Sequence, residues 1–458
     1  MIVAVTVPIM IQMGITNFVS LLDNIMVGAL GTESISGVSI VNQFIFVFNL
    51  LIFGAVSAAG IFTAQYYGSK DTEGVRATFR LKLLINVASG IIGVLLFVFG
   101  GDLMINLFLH DDGSGADLAL AFVEAKNYLT YIIIGIIPYA ISQVYASTLR
   151  ETGETVVPMV SSIAAVAVNF ALNLILIFGL LGAPALGVIG AAIATSVSRF
   201  VELFILIIWT HTHSDRCPFI KGALRSMRVP KSLIWQITVK GMPIMLNEFL
   251  WSCAITFRNQ CYSTRGIDAL AATSIATTVL NLFSVVYLSL GSAIAIVVGN
   301  KLGAGEIEEA KDTDRKMIAF SVAVSVVIGV MLALVSPMLP RMFDVGEGVQ
   351  SMAMHLLIIQ ALYMPVAAFA NSSYYTIRSG GRVMITMLLD SVFMWTFTVP
   401  ISACLTYFTG MNVYVLYLLC QGTEIAKVIL GAILLKKSNW ARRLIDNEPE
   451  EKISDKND

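Results

Sequence analysis

The chain has 458 residues, of which 57% are hydrophobic and 13% charged, and its formal net charge is −1. Ordinary soluble domains carry about 25% charged residues, so this composition excludes that class. Apolar blocks of about 20 residues recur along the chain, and a helix of that length crosses the hydrocarbon core of a bilayer. We therefore predict an all-α integral membrane protein.

Charged residues and Gly or Pro breaks divide the apolar blocks into about twelve transmembrane helices. In chain order the predicted spans are 2–27, 37–66, 80–101, 122–147, 156–180, 187–211, 237–263, 267–299, 317–339, 351–376, 384–406 and 412–436. Most of the 29 Lys and Arg residues fall in the even-numbered gaps and in the C-terminal tail. Because basic residues accumulate on the cytoplasmic side, both termini are predicted to be cytoplasmic, and the acidic loop HDDGSGAD (110–117) to face outward.

The two halves of the sequence match at a nearly constant offset. Three pairs are separated by 235 residues: Pro8 and Pro243, Gly31 and Gly266, and Gly68 and Gly303. After the outward loop the offset becomes 228, as in TLRETG (148–153) against TIRSGG (376–381). Each half has six spans, an even number, so both enter the membrane from the same side, as in transporters built from parallel repeats.

The duplication predicts two pseudo-symmetric six-helix lobes with a cavity between or within them. The expected division is an N-terminal lobe (1–211, helices 1–6), a basic cytoplasmic linker (212–236), a C-terminal lobe (237–437, helices 7–12) and a cytoplasmic tail (438–458). No G-x-x-x-x-G-K-[ST] nucleotide motif occurs, so an ion gradient is the expected energy source. The four histidines belong to no catalytic motif, and we predict neither enzymatic activity nor a cofactor.

Polar residues form a stripe on each of two otherwise apolar helices: Gln12, Thr16 and Asp23 in helix 1, and Ser162, Asn169 and Asn173 in helix 5. A carboxylate at the bilayer centre costs about 2.5–3.5 kcal/mol on insertion scales, so Asp23 is expected to face protein or water. Carboxylate and amide oxygens suit a small hard cation, and burial favours the neutral carboxyl, as a proton carrier requires. The alternative is a hydrogen-bonded cluster that only fixes helix packing.

The second half carries different charges at the matching positions. Asp23 corresponds to Arg258, whereas Glu248 and Asp390 have no acidic counterpart in the first half. We interpret Glu248 as an anchor for a cation or substrate and Asp390 as a second one. A buried salt bridge of either acid with Arg258 is the alternative, because ions within the membrane often pair.

Three other groups of residues are interpreted as structural. Arg199 with Glu202 and Glu424 with Lys427 are i, i+3 pairs that can neutralise each other locally. The segment HTHSDRC (211–217) could in principle hold a metal, but its spacing specifies such a site only loosely. We favour a solvated linker there and predict no bound metal.

Seven segments of the chain share the pattern of one known family: Pro8, DNIMVGALG from Asp23, ISGVSIVNQ in helix 2, VNFALNLILIFG in helix 5, GAAIATSVSR in helix 6, and GMPIMLNEFLW and LLDSVFMWTFTVP in the second half. Over nearly its whole length the sequence resembles the multidrug and toxic compound extrusion (MATE) family of antiporters. The resemblance implies efflux of amphipathic organic cations in exchange for Na⁺ or H⁺, by rocking of the two lobes.

The resemblance also implies the functional residues. The family's coupling-ion site falls on Asp23, Asn169, Asn173 and Thr195, and Asn173 departs from the pattern because many members carry Asp there. The acid on helix 7 corresponds to Glu248. Where some members carry an acid on helix 10, this chain has Asn371.

A flippase for lipid-linked precursors, from the same wider superfamily, is the alternative function. It should show a basic cavity for phosphates, whereas acids here match or exceed the Arg and Lys within the spans. We expect a multi-pass protein of the plasma membrane that acts as a monomer. Its expected partners are small organic cations and the bilayer, with no nucleic acid.

Overall fold

The computed structural model describes residues 2–108, 118–343 and 345–445, and the regular structure in this part of the chain is helical, as predicted. The long helices are α1 (Ile2–Gly28), α2 (Thr32–Gly68), α3 (Thr72–Phe108), α4 (Leu118–Glu151), α5 (Val156–Phe178), α6 (Val188–Thr212), α7 (Lys231–Ser263), α8 (Ile267–Gly303), α9 (Ile307–Val335), α10 (Glu347–Ser379), α11 (Val383–Phe408) and α12 (Val413–Lys437). A 3-10 turn (Ile133–Gly135) interrupts α4, and π-helical turns (Leu388–Val392 and Met394–Thr398) interrupt α11. The predicted outward loop 110–117 lies outside the described residues.

Ten of these helices are long and apolar enough to cross a membrane. The other two are α1, in which the described apolar stretch is Val5–Val19, and α7, which carries Lys240, Glu248 and Arg258. Several helices extend past the predicted spans, since α3 begins at Thr72 and α9 at Ile307 rather than at 80 and 317. An apolar pattern marks only the part of a helix in hydrocarbon, whereas the helical hydrogen bonds continue through charged turns into water.

The helix boundaries repeat with the sequence. α2 and α8 each contain 37 residues, and both ends of α8 lie 235 positions after those of α2. Each follows a glycine with a positive φ, 124° at Gly31 and 109° at Gly266, a conformation that residues with a Cβ rarely adopt. The last residues of α4 and α10, Glu151 and Ser379, keep the second offset of 228.

The helices pack into two bundles that follow the halves of the sequence. In the first, α2 packs on α3 and α4, and α5 on α1 and α6; in the second, α10 packs on α8, α9 and α12. The bundles meet through α1 and α2 on one side and α7 and α8 on the other. Ile9 of α1 lies in the apolar core around α8 and α10, and Ile244 of α7 in the core around α2 and α3. Each bundle thus contributes one helix to the core of the other.

The backbones of α2 and α8 come into contact at their C-terminal ends, which the charge pattern assigns to the cytoplasm. A Cβ at Gly68 would overlap the carbonyl of Asn300, and a Cβ at Gly303 would overlap that of Gln65. Gly303 and Asn300 are the repeat equivalents of Gly68 and Gln65, so the same contact is made twice. We call this contact the glycine crossing, and it closes the two bundles against each other at that end.

The segment after α12 packs beside the glycine crossing. Trp440 and Leu444 are buried, and a Cβ at Gly380 would overlap the Trp440 carbonyl. The Gln65 side chain donates to the Ser379 carbonyl at 3.1 Å and accepts from the Leu444 amide at 2.7 Å. α2 of the first bundle is therefore hydrogen-bonded both to the end of α10 and to the tail.

Most residues of the linker between α6 and α7 are exposed, as expected, but part of its backbone is held against α3. Arg80 Nε of α3 donates to the Ala223 carbonyl at 2.8 Å, and Arg76 Nε donates to the Phe219 carbonyl at 3.1 Å. Cys217 and Phe219 are buried in the core below α3. The basic residues of α3 thus bind the linker backbone, an interaction that charge counting along the chain does not show.

Candidate functional site

The polar stripes of α1 and α5 face each other. Because the two helices run in the same direction, residues with the same spacing on each helix can pair. Asn173 Nδ2 donates to Asp23 Oδ1 at 2.6 Å, and eleven residues earlier on both helices Gln12 Nε2 donates to Ser162 Oγ at 2.7 Å. Asn169 lies one turn from Asn173 and 3.2 Å from the Thr195 hydroxyl of α6. With its amide nitrogen turned toward Asp23, Asn169 reaches the two carboxylate oxygens at 3.0 and 3.2 Å.

Asp23, Asn173 and Thr195 line a cavity of about 320 Å³, which we call the N-lobe chamber. Asn173 is 1% exposed, and its Oδ1 has no hydrogen-bond partner among the described residues. Over the same residues, no basic side chain makes a salt bridge with Asp23. The cluster therefore has an ionisable acid and an unpaired carbonyl oxygen beside a cavity, and it can accept a cation or a proton.

Gln12 and Thr16 were predicted to support Asp23, but their hydrogen bonds lead toward the other end of α1. Gln12 accepts from Arg150 Nη1 at 3.2 Å, in addition to donating to Ser162. The Thr16 hydroxyl donates to the carbonyl of Gln12 in its own helix at 2.9 Å. These residues share one face of α1, but the eleven residues from Gln12 to Asp23 span about 16 Å of helix, too far for a direct contact.

The sequence pattern did not indicate Asn42 and Tyr128 as residues of the N-lobe chamber. Asn42 of α2 and Tyr128 of α4 both face it; Asn42 lies in the segment ISGVSIVNQ, which could have indicated it. Arg199 also lines the chamber and pairs with Glu202 at 3.4 Å, as the i, i+3 spacing predicted. Its guanidinium stacks 4.8 Å from the centre of the Tyr139 ring.

The two acids of the second half line another cavity, of about 400 Å³, which we call the C-lobe chamber. Glu248 accepts from the Tyr374 hydroxyl at 3.4 Å, and no salt bridge to Glu248 occurs among the described residues. Asn371 lines the same chamber and donates to the Tyr287 carbonyl at 2.9 Å. Glu248 thus remains available to a cation, as does Glu424, a third acid of the chamber that forms no salt bridge among the described residues.

Asp390 has a permanent partner, and it is not the one considered from the sequence. Lys427 Nζ of α12 donates to Asp390 Oδ1 at 2.7 Å, and Asn247 Nδ2 donates to Oδ2 at 3.0 Å. The predicted pairing of Lys427 with Glu424 is wrong in this structure, as is the alternative of Asp390 with Arg258. Asp390 lies in a π-helical turn of α11, which rotates side chains away from the directions that a regular helix period assigns.

Replacing Lys427 with Met should destabilise the protein by about 3 kcal/mol, because it leaves the buried Asp390 carboxylate without its counter-ion. Thermal unfolding of the purified protein in detergent would show this as a lower apparent Tm. The double variant Asp390→Asn/Lys427→Met should recover most of the loss. An unchanged Tm for Lys427→Met would contradict a structural role for the pair.

A third cavity of about 290 Å³, the central cavity, adjoins both chambers. It shares Asn49 and Tyr139 with the N-lobe chamber and Phe53 and Tyr375 with the C-lobe chamber. Its lining comes from α1, α2 and α4 of one bundle and from α8 and α10 of the other. Two acid-bearing chambers therefore lie next to a space that both halves enclose.

The residues of HTHSDRC do not converge. His211 lies 3.3 Å from the Tyr145 hydroxyl, and the His213 ring stacks on Trp209. Burial raises the pKa of the Cys217 thiol to about 12, so the thiolate that a metal needs is disfavoured. In the part of the chain that the structure describes, no three His, Cys, Asp or Glu side chains are grouped as metal ligands.

Two six-helix bundles around inner cavities are the architecture of membrane transporters built from parallel repeats. The family model MatE matches residues 8–175 and 243–408, one match in each half. The chain therefore belongs to the MATE family of multidrug efflux transporters.

Relatives and solved structures agree with this assignment. The chain is 24% identical to the "Probable multidrug resistance protein NorM" of Thermotoga maritima, over 92% of this chain and 89% of the relative. It is also 24% identical to the "Probable multidrug resistance protein YoeA" of Bacillus subtilis, over 84% and 81%. In fold it is similar to an outward-facing MATE transporter (TM-score 0.86, 20% identity, 95% and 94% covered). A mutant of the Vibrio cholerae MATE transporter VcmN is also similar (TM-score 0.86, 17% identity, 96% and 97% covered).

Proposed function

We propose that this protein exports amphipathic organic cations in exchange for Na⁺ or H⁺, by alternating access of its two lobes. The observation that carries the proposal is the cluster of Asp23, Asn169, Asn173 and Thr195. It combines the unpaired Oδ1 of Asn173 with a carboxylate to which no basic side chain of the described residues forms a salt bridge. These oxygens are hard ligands of the kind that small cations prefer, and the coupling ion binds there.

The acids of the chambers favour a cationic substrate. Glu248 faces the C-lobe chamber without a basic partner among the described residues, next to the aromatic rings of Tyr374 and Tyr375. Aromatic faces and a carboxylate together attract an organic cation. Because both chambers adjoin the central cavity between the lobes, an ion in one and a substrate in the other can act on the same movement of the lobes.

We place the protein in the plasma membrane with both termini in the cytoplasm, because Lys and Arg concentrate in the even-numbered gaps and the tail. The lobes comprise 1–211 and 237–437, with the linker 212–236 and the tail 438–458 on the cytoplasmic side. One chain supplies both lobes and all the cavities, which supports a monomer as the working unit.

The test is transport by the purified full-length protein in proteoliposomes. Ethidium should move against its own gradient when either a Na⁺ gradient or a pH gradient is imposed separately. The gradient that drives ethidium transport identifies the coupling ion, and an ionophore that collapses this gradient should stop the transport. If neither gradient drives ethidium, the exchange proposal fails.

A flippase for lipid-linked precursors is the second candidate. One observation favours it, namely that Arg150 and Arg378 both line the central cavity and could bind phosphates. Glu248 and Asp23 in the adjoining chambers favour cations instead. Translocation of a fluorescent polyprenyl diphosphate by the same proteoliposomes, without ethidium transport, would support the flippase.

A further inference from the structure

Two arginines that form no salt bridge within the described part of the chain occupy the predicted cytoplasmic end of the central cavity. Arg150 lies at the end of α4 and Arg378 at the end of α10, and they are repeat equivalents at the offset of 228, in TLRETG and TIRSGG. Both line the same cavity. Each lobe therefore contributes one guanidinium at the same place in its fold.

Arg378 is 3% exposed, yet it has no carboxylate within salt-bridge distance among the described residues. Its guanidinium lies 5.5 Å from the centre of the Phe53 ring and 5.7 Å from those of Tyr374 and Tyr375. The hydrogen bond it makes within this part of the chain is a long one, 3.4 Å from Nη1 to the Tyr374 hydroxyl. A guanidinium has five N–H donors, so most of its capacity remains for a ligand in the cavity.

Arg150 is similarly available. Its Nη1 donates to the neutral Gln12 amide at 3.2 Å. The neighbouring acid in the cavity, Glu151, is already paired with the fully buried Lys82. Lys82 lies 3.2 Å from Ser147 Oγ, which also fixes its position. This end of the cavity is therefore positively charged, whereas the chambers beside it contain the acids Asp23 and Glu248.

We propose that Arg150 and Arg378 form an anion-binding site for the carboxylate of an amphipathic small-molecule substrate. The inference rests on the proposed export function, because its ligand is the exported molecule. Planar guanidinium groups bind carboxylates through paired, charge-assisted hydrogen bonds. A cavity of about 290 Å³ lined by Phe53 and Tyr375 accommodates the aromatic part of such a molecule. Zwitterions, with the cationic end toward Glu248, are then substrates as well as simple cations.

The experiment compares two dyes that differ at one group, rhodamine 110 with its free carboxylate and rhodamine 123, its methyl ester. Binding to the purified full-length protein is measured by fluorescence anisotropy. We expect the wild type to bind the free acid about tenfold more tightly, as a charged hydrogen bond contributes. Arg378→Gln and Arg150→Gln should each reduce this preference while leaving the affinity for rhodamine 123 unchanged.

Two further variants separate binding from folding. Arg378→Lys keeps the charge and should retain part of the preference, even if Arg378→Gln does not fold. Arg382→Gln removes a basic residue just beyond α10 that does not line the cavity and should bind both dyes as the wild type does. Equal affinity for the two dyes, including no binding of either, would overturn the inference, as would a preference that survives in both glutamine variants.

The source of the anionic group is distinguished in the same assay. Benzoate should displace rhodamine 110 from the wild type and not from Arg378→Lys/Arg150→Gln. Displacement by short-chain phosphatidylglycerol but not by benzoate would assign the site to a lipid headgroup and overturn the small-molecule assignment. Ethidium carries no anionic group, so failure of its gradient-driven transport counts against the export function independently of the dye preference.

Discussion

Asp23→Asn is expected to shift gradient-driven ethidium transport to a much higher concentration of the coupling ion. The substitution preserves the size of the side chain and its contact with Asn173, 2.6 Å away, but removes the charge of the N-lobe chamber. Loss of an interaction with a charged group is worth about 1.5–3 kcal/mol, which weakens coupling-ion binding roughly 10- to 100-fold. Proteoliposome transport at a series of ion concentrations would measure the shift.

The matched control is Asp102→Asn. Asp102 also lies in a membrane-spanning helix, but its side chain is exposed and pairs with Lys126 at 2.7 Å, outside all three cavities. This control should transport ethidium as the wild type does. Coupled transport by Asp23→Asn at the wild-type ion concentration would remove Asp23 from the coupling-ion site.

Gly68→Leu and Gly303→Leu are expected to open the predicted cytoplasmic side of the central cavity. A side chain at either position overlaps a backbone carbonyl of the other lobe, and backbone cannot move aside as a flexible side chain can. Overpacking of this kind costs about 1–3 kcal/mol, which shifts the equilibrium between closed and open states by about tenfold or more. Transport should fall, because the closed state becomes too rare.

A cysteine at Ser57, which lines the central cavity, would report this opening. In a background without the accessible Cys253 and Cys404, a membrane-impermeant maleimide added to inverted vesicles should label it faster in both leucine variants. Gly100→Leu is the control, since a Cβ there meets nothing within 4 Å. Labelling of the Gly68 and Gly303 variants at the rate of the control would show that the glycine crossing does not seal the cavity.

The repeat made much of the fold predictable. Pairs such as Gly68 and Gly303, separated by 235 residues, indicated two six-helix halves, and α2 and α8 indeed begin and end at equivalent positions. The apolar pattern did not predict helix ends such as Thr72 of α3, because it marks the part of a helix that lies in the bilayer and not the turns that continue into water. Cys217 is buried in a linker whose backbone accepts hydrogen bonds from Arg76 and Arg80. Because these arginines are more than 130 residues away in sequence, no local pattern predicts the burial.

The sequence predicted contacts in the site only where the residues lie on one face of a regular helix or belong to a family motif. The contact of Asp23 with Asn173 followed from two parallel stripes. The pairing of Asp390 with Lys427 did not, because π-helical turns in α11 change the direction of its side chains. The chemical roles of Asp23, Asn169, Asn173, Thr195 and Glu248 stay predictions until transport is measured.

The doubled contact of the glycine crossing has the form of an interface in a symmetric dimer. In such an interface, if residue i of one copy contacts residue j of the other, residue j of the first copy also contacts residue i of the second. In an ancestral pair of identical six-helix subunits, an acid at position 23 would have appeared in both copies. Fusion into one gene released the copies from that identity. One copy now carries Asp23 and the other Arg258 at equivalent positions, a difference between the two lobes that no homodimer can encode.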